Sequence, residues 1–113
     1  MKIDHQGETP PYEQVRVHYA HAISNRELPV GAKLPTVRAL AKDLGLAVNT
    51  VARAYRDLES LGLIETRGRA GSIVTGDGVE QAARRAAHEY AEQLRALGLA
   101  RDEAIDLVRR AFD

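Results

Sequence analysis

Two short helical patterns separated by a very short turn constrain the fold of this chain more than any other feature. The first pattern starts after Thr36, a residue type that caps helix N-termini, and it stops at Gly45. The second runs from about residue 48 to Leu61 and is closed by Gly62. The apolar positions at helical spacing are Val37, Leu40, Ala41 and Leu44 in the first pattern, and Val51, Ala54, Tyr55, Leu58 and Leu61 in the second. Two helices joined in this way form a helix-turn-helix.

The flanking segments complete a compact arrangement. Pro10-Pro11 begins a helix predicted over residues 11–25, and two β-favouring runs at 63–67 and 72–75 enclose a glycine-containing turn that indicates a hairpin. Helical spacing then resumes after residue 78, with Gly98 separating two helices. We therefore predict a mainly α fold with a small β-hairpin (α+β): a winged helix-turn-helix followed by two C-terminal helices. Its parts would be a flexible tail at 1–9, the winged domain at 10–76 and a two-helix region at 79–113.

Composition excludes several classes of function. The 113 residues contain no cysteine, so disulfides and cysteine-based zinc sites are absent. His18 and His21 lie three apart but lack a third ligand at an obvious spacing, and no catalytic triad, paired-carboxylate site or phosphate-binding loop stands out. We expect no enzyme activity, no cofactor and no metal. No stretch approaches the ~18 apolar residues of a membrane span, so we expect a soluble, cytoplasmic protein that does not contact membranes.

Charge and side-chain chemistry point to a nucleic-acid surface in the middle of the chain. The formal net charge is zero, but residues 33–71 carry seven basic and four acidic side chains. On the second helix of the motif, the side opposite the apolar stripe carries residue types that pair with bases. The candidates for base contact are Val48, Asn49, Thr50 and Arg53. The candidates for contact with DNA phosphates are Thr36, Arg38 and Arg56. The candidates for contact with a minor groove lie at the hairpin tip and are Arg67, Gly68, Arg69 and Gly71.

A polar helix face also has a simpler interpretation, because solvated helix surfaces commonly look the same. Two alternatives to sequence-specific binding stay open on the residues alone. One is a winged-helix adaptor that binds proteins, whose association with random duplex DNA would not depend steeply on salt. The other is a sequence-blind architectural DNA-binding protein, whose operator-to-random affinity ratio would lie near one.

The C-terminal region has the composition of a dimerisation device. Two helices in about 34 residues bury little surface on their own, which favours packing between subunits, although folding back on the same chain is the alternative. A homodimer would place two recognition helices about one DNA turn apart. The candidate interface residues are Val79, Ala83, Ala86, Tyr90, Leu94, Leu97, Ile105, Val108 and Phe112.

Several motifs together resemble the GntR family of bacterial transcription regulators over residues 10–76. They are Pro11-Tyr12-x-Gln14-Val15, Leu34-Pro35-Thr36-x-Arg38-x-Leu40-Ala41-x-x-Leu44-Gly45, Asn49-Thr50-Val51-x-Arg53-Ala54-Tyr55-x-x-Leu58-Glu59-x-x-Gly62-Leu63-Ile64 and Gly68-x-x-Gly71-x-x-Val74. The short helical tail is similar to that of the YtrA-like subfamily. Three positions depart from the family pattern: Ala47 and Ala100 stand where helix-capping residues are usual, and Val48 stands where Arg or Pro is frequent.

The resemblance implies a dimeric regulator, by family default a repressor, that binds double-stranded DNA at a palindromic operator. It implies that the second helix of the motif enters the major groove and that the hairpin touches the neighbouring minor groove. It further implies control of an adjacent transporter operon and of the regulator's own gene. A small-molecule effector is compatible with such a tail, and its chemical identity is left open.

Overall fold

We examined a computed structural model of the chain, which describes residues 1–75 and 78–113. The elements in order are the helices α1 (Pro11–Ser24), α2 (Val37–Leu44) and α3 (Val48–Ser60), the strand β1 (Ile64–Thr66), a 3-10 turn (Gly68–Ala70), the strand β2 (Ser72–Val74), and the helices α4 (Gly78–Ala96) and α5 (Arg101–Ala111). The two strands are antiparallel. This architecture confirms the predicted winged helix-turn-helix with two further helices. The chain divides into two compact units, residues 1–82 and 83–113.

The ends of α2 and α3 follow the chemistry of their capping residues. The Thr36 hydroxyl accepts a hydrogen bond from the backbone N–H of Ala39 at 3.1 Å, which satisfies one free donor at the start of α2. Gly45 ends that helix in the left-handed region with φ 67°. At Ala47, the residue before α3, no side chain caps the helix. Substituting a capping residue by alanine typically costs ~1 kcal/mol, so α3 depends on packing for its stability.

Packing of α3 against α1 and β1 forms the core of the first unit. Val15, Val51 and Leu58 have no solvent exposure, and Leu63 and Val74 close the core from the hairpin side. Tyr55 is also buried, and its hydroxyl donates a hydrogen bond to the carbonyl of Pro35 at 2.7 Å. This bond ties α3 to the residues just before α2.

The hairpin is anchored to the segment that precedes α2. Within the hairpin, Ile64 pairs with Val74 and Thr66 with Ser72. On the other edge of β2, the N–H of Leu34 donates to the carbonyl of Ser72 at 2.9 Å, and the N–H of Val74 donates to the carbonyl of Ala32 at 2.9 Å. The predicted extended segment around Lys33 therefore lies alongside β2, on the side opposite β1, and forms a β-bridge with Ile73.

One glutamine side chain bonds to the N-terminal segment, which the sequence predicts to be a flexible tail. The Gln14 side-chain amide donates to the carbonyls of Asp4 and Thr9, at 2.8 and 2.7 Å, while its oxygen accepts from the N–H of Asp4 at 2.9 Å. Ile3 packs against the core of the first unit. Residues 1–9 thus fold over α1, and sequence composition gave no indication of these bonds.

The second unit is a helical hairpin with little interior. Leu94 is its buried residue, at 9% exposure, and the Tyr90 hydroxyl donates to the carbonyl of Ala104 at 2.8 Å. An apolar groove of about 550 Å³ runs along this unit, lined by Tyr90, Ala91, Leu94, Arg95, Leu99, Arg101, Ala104, Ile105 and Val108. Tyr90 and Leu94 therefore already have partners within the monomer, and their predicted place in a subunit interface stays a prediction.

The start of α4 belongs to the first unit. Val79 and Ala82 pack against the core of that unit, and the predicted interface role of Val79 stays a prediction. The predicted boundary at residues 76–79 lies earlier than the division after Ala82. In the described part of the chain, no helix has the length and hydropathy required to cross a membrane.

Candidate nucleic-acid interface

The N-terminal turn of α3 presents three predicted base-contacting residues. Val48 and Asn49 are exposed and Thr50 is half-buried, whereas Val51 is fully buried and Ala54 has no exposure. The buried side of α3 fixes the rotation of the helix about its axis. The polar side of this turn is therefore held outward by the core.

Arg53, the fourth predicted base-contacting residue, lies against an aromatic ring. Its guanidinium carbon is 3.6 Å from the centroid of the Tyr12 ring, well within the range of a cation–π contact. The residue is exposed overall, and Tyr12 is half-buried in α1. Sequence reasoning placed Arg53 on the outer face but did not include Tyr12, because the two residues lie 41 positions apart and on different helices.

A neighbouring ion-pair network joins the same two helices. The Nη1 atom of Arg16 lies 3.3 Å from Oδ2 of Asp57, and its Nη2 atom lies 2.9 Å from Oε1 of Glu13. The guanidinium of Arg16 is also 5.9 Å from the Tyr12 ring centroid. The carboxylate of Asp57, one helical turn after Arg53, is therefore paired with Arg16.

The predicted phosphate-contacting residues differ in how much of their hydrogen-bonding capacity remains. The Thr36 hydroxyl oxygen already caps α2, which leaves its hydrogen as the group to offer a phosphate. Arg38, Arg56 and Arg69 are exposed and make no ion pair or hydrogen bond within residues 1–75 and 78–113. Such guanidinium groups can contact phosphates without first breaking a bond to the protein.

The backbone of the hairpin tip adopts conformations that glycine allows. Gly68 has φ 53° and Gly71 has φ 81°, a region that side-chain-bearing residues rarely adopt. The N–H of Arg67 donates to the carbonyl of Gly71 at 2.8 Å and closes the turn. The Arg67 side chain faces Glu65, with Nε and Oε1 3.5 Å apart, so its charge is partly compensated.

Glu59 braces the hairpin against α3, and sequence reasoning had not singled it out. Its carboxylate accepts a hydrogen bond from the N–H of Thr66 at 2.9 Å. The hydroxyls of Thr66 and Ser72 lie 3.2 Å apart across the strands. The hairpin is thus attached both to α3 and, through β2, to the residues before α2.

His18 and His21 are the histidine pair of α1. Among the described residues, no group of three or more His, Asp or Glu side chains could hold a metal ion. Burial, followed by the positive charge of the N-terminus, lowers the pKa of His18. The ring of His18 packs edge-on against Tyr19, with centroids 5.0 Å apart.

Comparison with known proteins identifies the family. The model of the "Bacterial regulatory proteins, gntR family" matches residues 11–74. The HTH-type transcriptional regulator Rv1152 of Mycobacterium tuberculosis is 43% identical over 106 residues, which are 93% of this chain and 88% of that protein.

Solved structures show the same fold. YtrA from Sulfolobus acidocaldarius, a GntR-family transcription factor, has a TM-score of 0.66 and 30% identity over 99% of this chain and 96% of its own. The DNA-binding domain of AraR in complex with operator ORX1 has a TM-score of 0.61 and 26% identity over 66% of this chain and 95% of its own. This chain belongs to the GntR family and is a DNA-binding, YtrA-like transcription regulator with a winged helix-turn-helix.

Proposed function

We propose that this regulator binds a palindromic operator in double-stranded DNA as a homodimer and acts as a repressor. The observation that carries the proposal is the orientation of α3. Its buried side is fixed by a fully packed core, while Val48, Asn49 and Arg53 face solvent. A helix held in this way can insert its N-terminal residues into a major groove without rearranging.

We assign the base contacts to the first two turns of α3. Asn49 can pair bidentately with adenine and Arg53 with guanine, while the Thr50 methyl group can meet a thymine methyl. Val48 offers an apolar contact at 46% exposure. An apolar residue there selects by shape and thymine contact, so we expect the operator to differ from those read by an arginine at this position.

We assign the contacts with the DNA backbone to residues around this helix. Arg38 with the start of α2, and Arg56 one turn further along α3, would contact phosphates on either side of the groove. At the hairpin, Arg69 is the stronger candidate for the minor groove because Glu65 partly compensates Arg67. Gly68 and Gly71 carry no side chain, which allows the turn itself to approach the DNA.

We assign dimerisation to the second unit, since five of its large apolar side chains are exposed. Leu97 is 73% exposed and Phe112 is 87% exposed, and α5 contains no buried residue. Exposed apolar groups of this kind on a small helical unit favour association with a second copy. The interface residues we retain are Ala83, Ala86, Leu97, Ile105, Val108 and Phe112. Tyr90 and Leu94 support that surface from within the monomer.

The regulatory role is carried by the family resemblance. A dimer seated on an operator within a promoter excludes RNA polymerase, which gives repression. We extend the proposal to the regulator's own gene and to an adjacent transporter operon. A small-molecule effector would act by changing how the two copies meet.

Selection of bound fragments from a random duplex pool tests this proposal. We expect a two-fold symmetric motif with half-sites about one DNA turn apart, and an operator-to-random affinity ratio of ~10³ or more. Arg53→Ala should lower operator affinity by about 1–3 kcal/mol and relax one base position, and Arg38→Ala should weaken all sequences alike. Arg109→Ala in α5 removes the same charge and serves as the control. A ratio near one would contradict the proposal and support an architectural role.

A further inference from the structure

We propose that Tyr12 of α1 is a positioning residue for DNA reading: its ring holds the Arg53 guanidinium in place, and Arg16 prevents Asp57 from neutralising it. The inference rests on the proposed function, in which Arg53 contacts a base. It adds a specificity-determining role for α1, a helix that would itself touch no base.

The stacking geometry leaves the hydrogen-bonding groups of Arg53 available. The guanidinium carbon lies 3.6 Å from the Tyr12 ring centroid, so the contact is made by the ring face. An aromatic face attracts the cation through its quadrupole, whereas the five N–H donors of a guanidinium lie in its own plane. An arginine held by a ring face can therefore still offer two donors to the O6 and N7 atoms of a guanine.

The ring that holds Arg53 is itself fixed. Tyr12 is half-buried and packs against the core formed by residues such as Val15 and Leu58. A long side chain loses rotamer freedom when it binds, and an arginine that already rests on a fixed ring has less freedom left to lose. The contact therefore prepares Arg53 for binding before the DNA arrives.

The ion pair of Arg16 protects the charge of Arg53. Asp57 follows Arg53 by four positions on α3, the spacing at which oppositely charged side chains on one helix attract each other. In the structure Asp57 is instead paired with Arg16 at 3.3 Å, and Glu13 holds Arg16 from the other side at 2.9 Å. Among the residues that the structure describes, Arg53 thereby contacts the Tyr12 ring and forms no ion pair with a carboxylate.

The first test compares Tyr12→Leu with Tyr12→Phe in the full-length protein. The leucine removes the aromatic face and the phenylalanine keeps it. We measure affinity for the selected operator and for random duplex DNA by fluorescence anisotropy at one salt concentration. Tyr12→Leu should lower the operator-to-random ratio about three- to tenfold, the range of a partly exposed cation–π contact. Tyr12→Phe should stay within about twofold of the unmodified protein.

A double-mutant cycle with Arg53→Ala separates positioning from a merely structural role. If Tyr12 acts through Arg53, then Tyr12→Leu should cause no further fall in the ratio once Arg53 is alanine. An equal fall in both backgrounds overturns the inference. An effect of Arg53→Ala without any effect of Tyr12→Leu overturns the inference alone. Absence of any effect of Arg53→Ala overturns both the inference and the assigned role of Arg53 in the proposed function.

The second test addresses Arg16 and Asp57. Arg16→Met frees the Asp57 carboxylate to pair with Arg53, so the operator-to-random ratio should fall severalfold. Arg16→Met combined with Asp57→Asn should return the ratio to within about twofold of the unmodified protein, because the competing charge is gone. Failure of the second substitution to restore the ratio overturns the protective role of Arg16.

Tyr12→Trp keeps the proposal testable if the leucine variant does not fold. Tryptophan offers the strongest cation–π face, so this variant should match or exceed the ratio of the unmodified protein. Circular dichroism melting curves establish that each variant is folded. A folded tryptophan variant whose ratio falls as far as that of Arg53→Ala would overturn the inference.

Discussion

The two units of this molecule differ in how far their large apolar side chains are buried. In residues 1–82 most large apolar side chains of α1, α3 and the hairpin are buried, and several, such as Val15 and Leu58, have no exposure at all, although Val17 and Val48 are exposed. In residues 83–113 Leu94 is buried, while Leu97, Ile105, Leu107, Val108 and Phe112 are exposed. The first unit has a finished core, and the second carries a surface that we assign to a second copy of the chain.

This difference indicates a division of labour between stability and assembly. A core with fully buried side chains gives a unit that folds by itself, whereas a 31-residue helical hairpin with one buried leucine gains little from folding alone. We therefore expect substitutions in the first unit to act at every protein concentration. Substitutions in the second unit should act mainly when concentration controls association.

Truncation after Ala82 tests the contrast most directly and should have the largest effect. The shortened chain keeps Val79 and Ala82, which pack on the core, so it should remain folded with a melting curve close to that of the full chain. It should be monomeric by sedimentation, and its operator affinity should fall by about 10²–10⁴-fold, because the two binding events are no longer linked.

A second truncation sharpens this result. Ending the chain at Thr75 also removes Val79 and Ala82, and it should lower the melting temperature as well as the affinity. Undiminished dimerisation of the chain that ends at Ala82 would contradict the assignment of the interface to the second unit.

Two leucine-to-alanine substitutions compare the units at single positions. Leu58→Ala opens a cavity in the first core and should lower the free energy of unfolding by about 2–5 kcal/mol at any protein concentration. Leu97→Ala removes an exposed side chain and should weaken dimerisation while leaving the first unit unchanged. Urea denaturation at two concentrations, with sedimentation, measures both effects. Equal and concentration-independent losses would break the distinction between the units.

The buried tyrosines of the first unit predict a loss of stability at alkaline pH. Burial raises the pKa of Tyr19 and, more strongly, that of Tyr55. Below the unfolded value near pH 10 both states are protonated and the stability is fully present; above it the unfolded state releases protons first, so stability falls as pH rises.

Tyr55→Phe separates the two contributions of this hydroxyl. At neutral pH it should lower the free energy of unfolding by about 1–3 kcal/mol, because the Pro35 carbonyl loses its 2.7 Å hydrogen bond. Between pH 9 and 11 the variant should lose less stability than the unmodified protein, as measured by urea denaturation. An identical alkaline decline in both proteins would show that Tyr55 does not contribute to it.

The smallest expected effect is at the end of α1. Arg26 adopts φ 61°, a left-handed conformation that costs a residue with a Cβ atom about 1 kcal/mol. Arg26→Gly should therefore raise the free energy of unfolding by about 0.5 kcal/mol after the greater chain entropy of glycine is subtracted. Arg26→Ala keeps the strain and should give no increase. A gain from both variants would point to the charge of Arg26 as the cause.

The sequence predicted the features that depend on nearest neighbours along the chain. The Thr36 cap, the stop at Gly45 and the hairpin around Gly68 follow from local residue chemistry, and the structure confirms each of them. The predicted stripe of α3 is buried at Val51, Ala54, Tyr55 and Leu58, whereas Leu61 lies just beyond the helix and is 44% exposed. The family motifs also extend over this same region.

Contacts between distant segments were not predictable in the same way. Helical periodicity shows that Arg53 faces outward, but it does not reveal that Tyr12 lies beneath it or that Arg16 reaches Asp57. The side-chain bonds of Gln14 to residues 4 and 9 and the packing of Val79 on the core are of the same kind. Each depends on how α1 crosses α3 or on where the chain returns, which only the assembled core determines.

The bridge between β2 and the residues before α2 has a consequence for how this regulator can evolve. Main-chain hydrogen bonds at Ala32 and Leu34 join β2 to the residues before α2. A displacement of the hairpin would therefore also displace the beginning of α2. The position of the hairpin relative to the start of α2 is accordingly a property of the backbone. We expect new binding sites to arise through exchanges at α3, with the footprint of each half-site keeping its length.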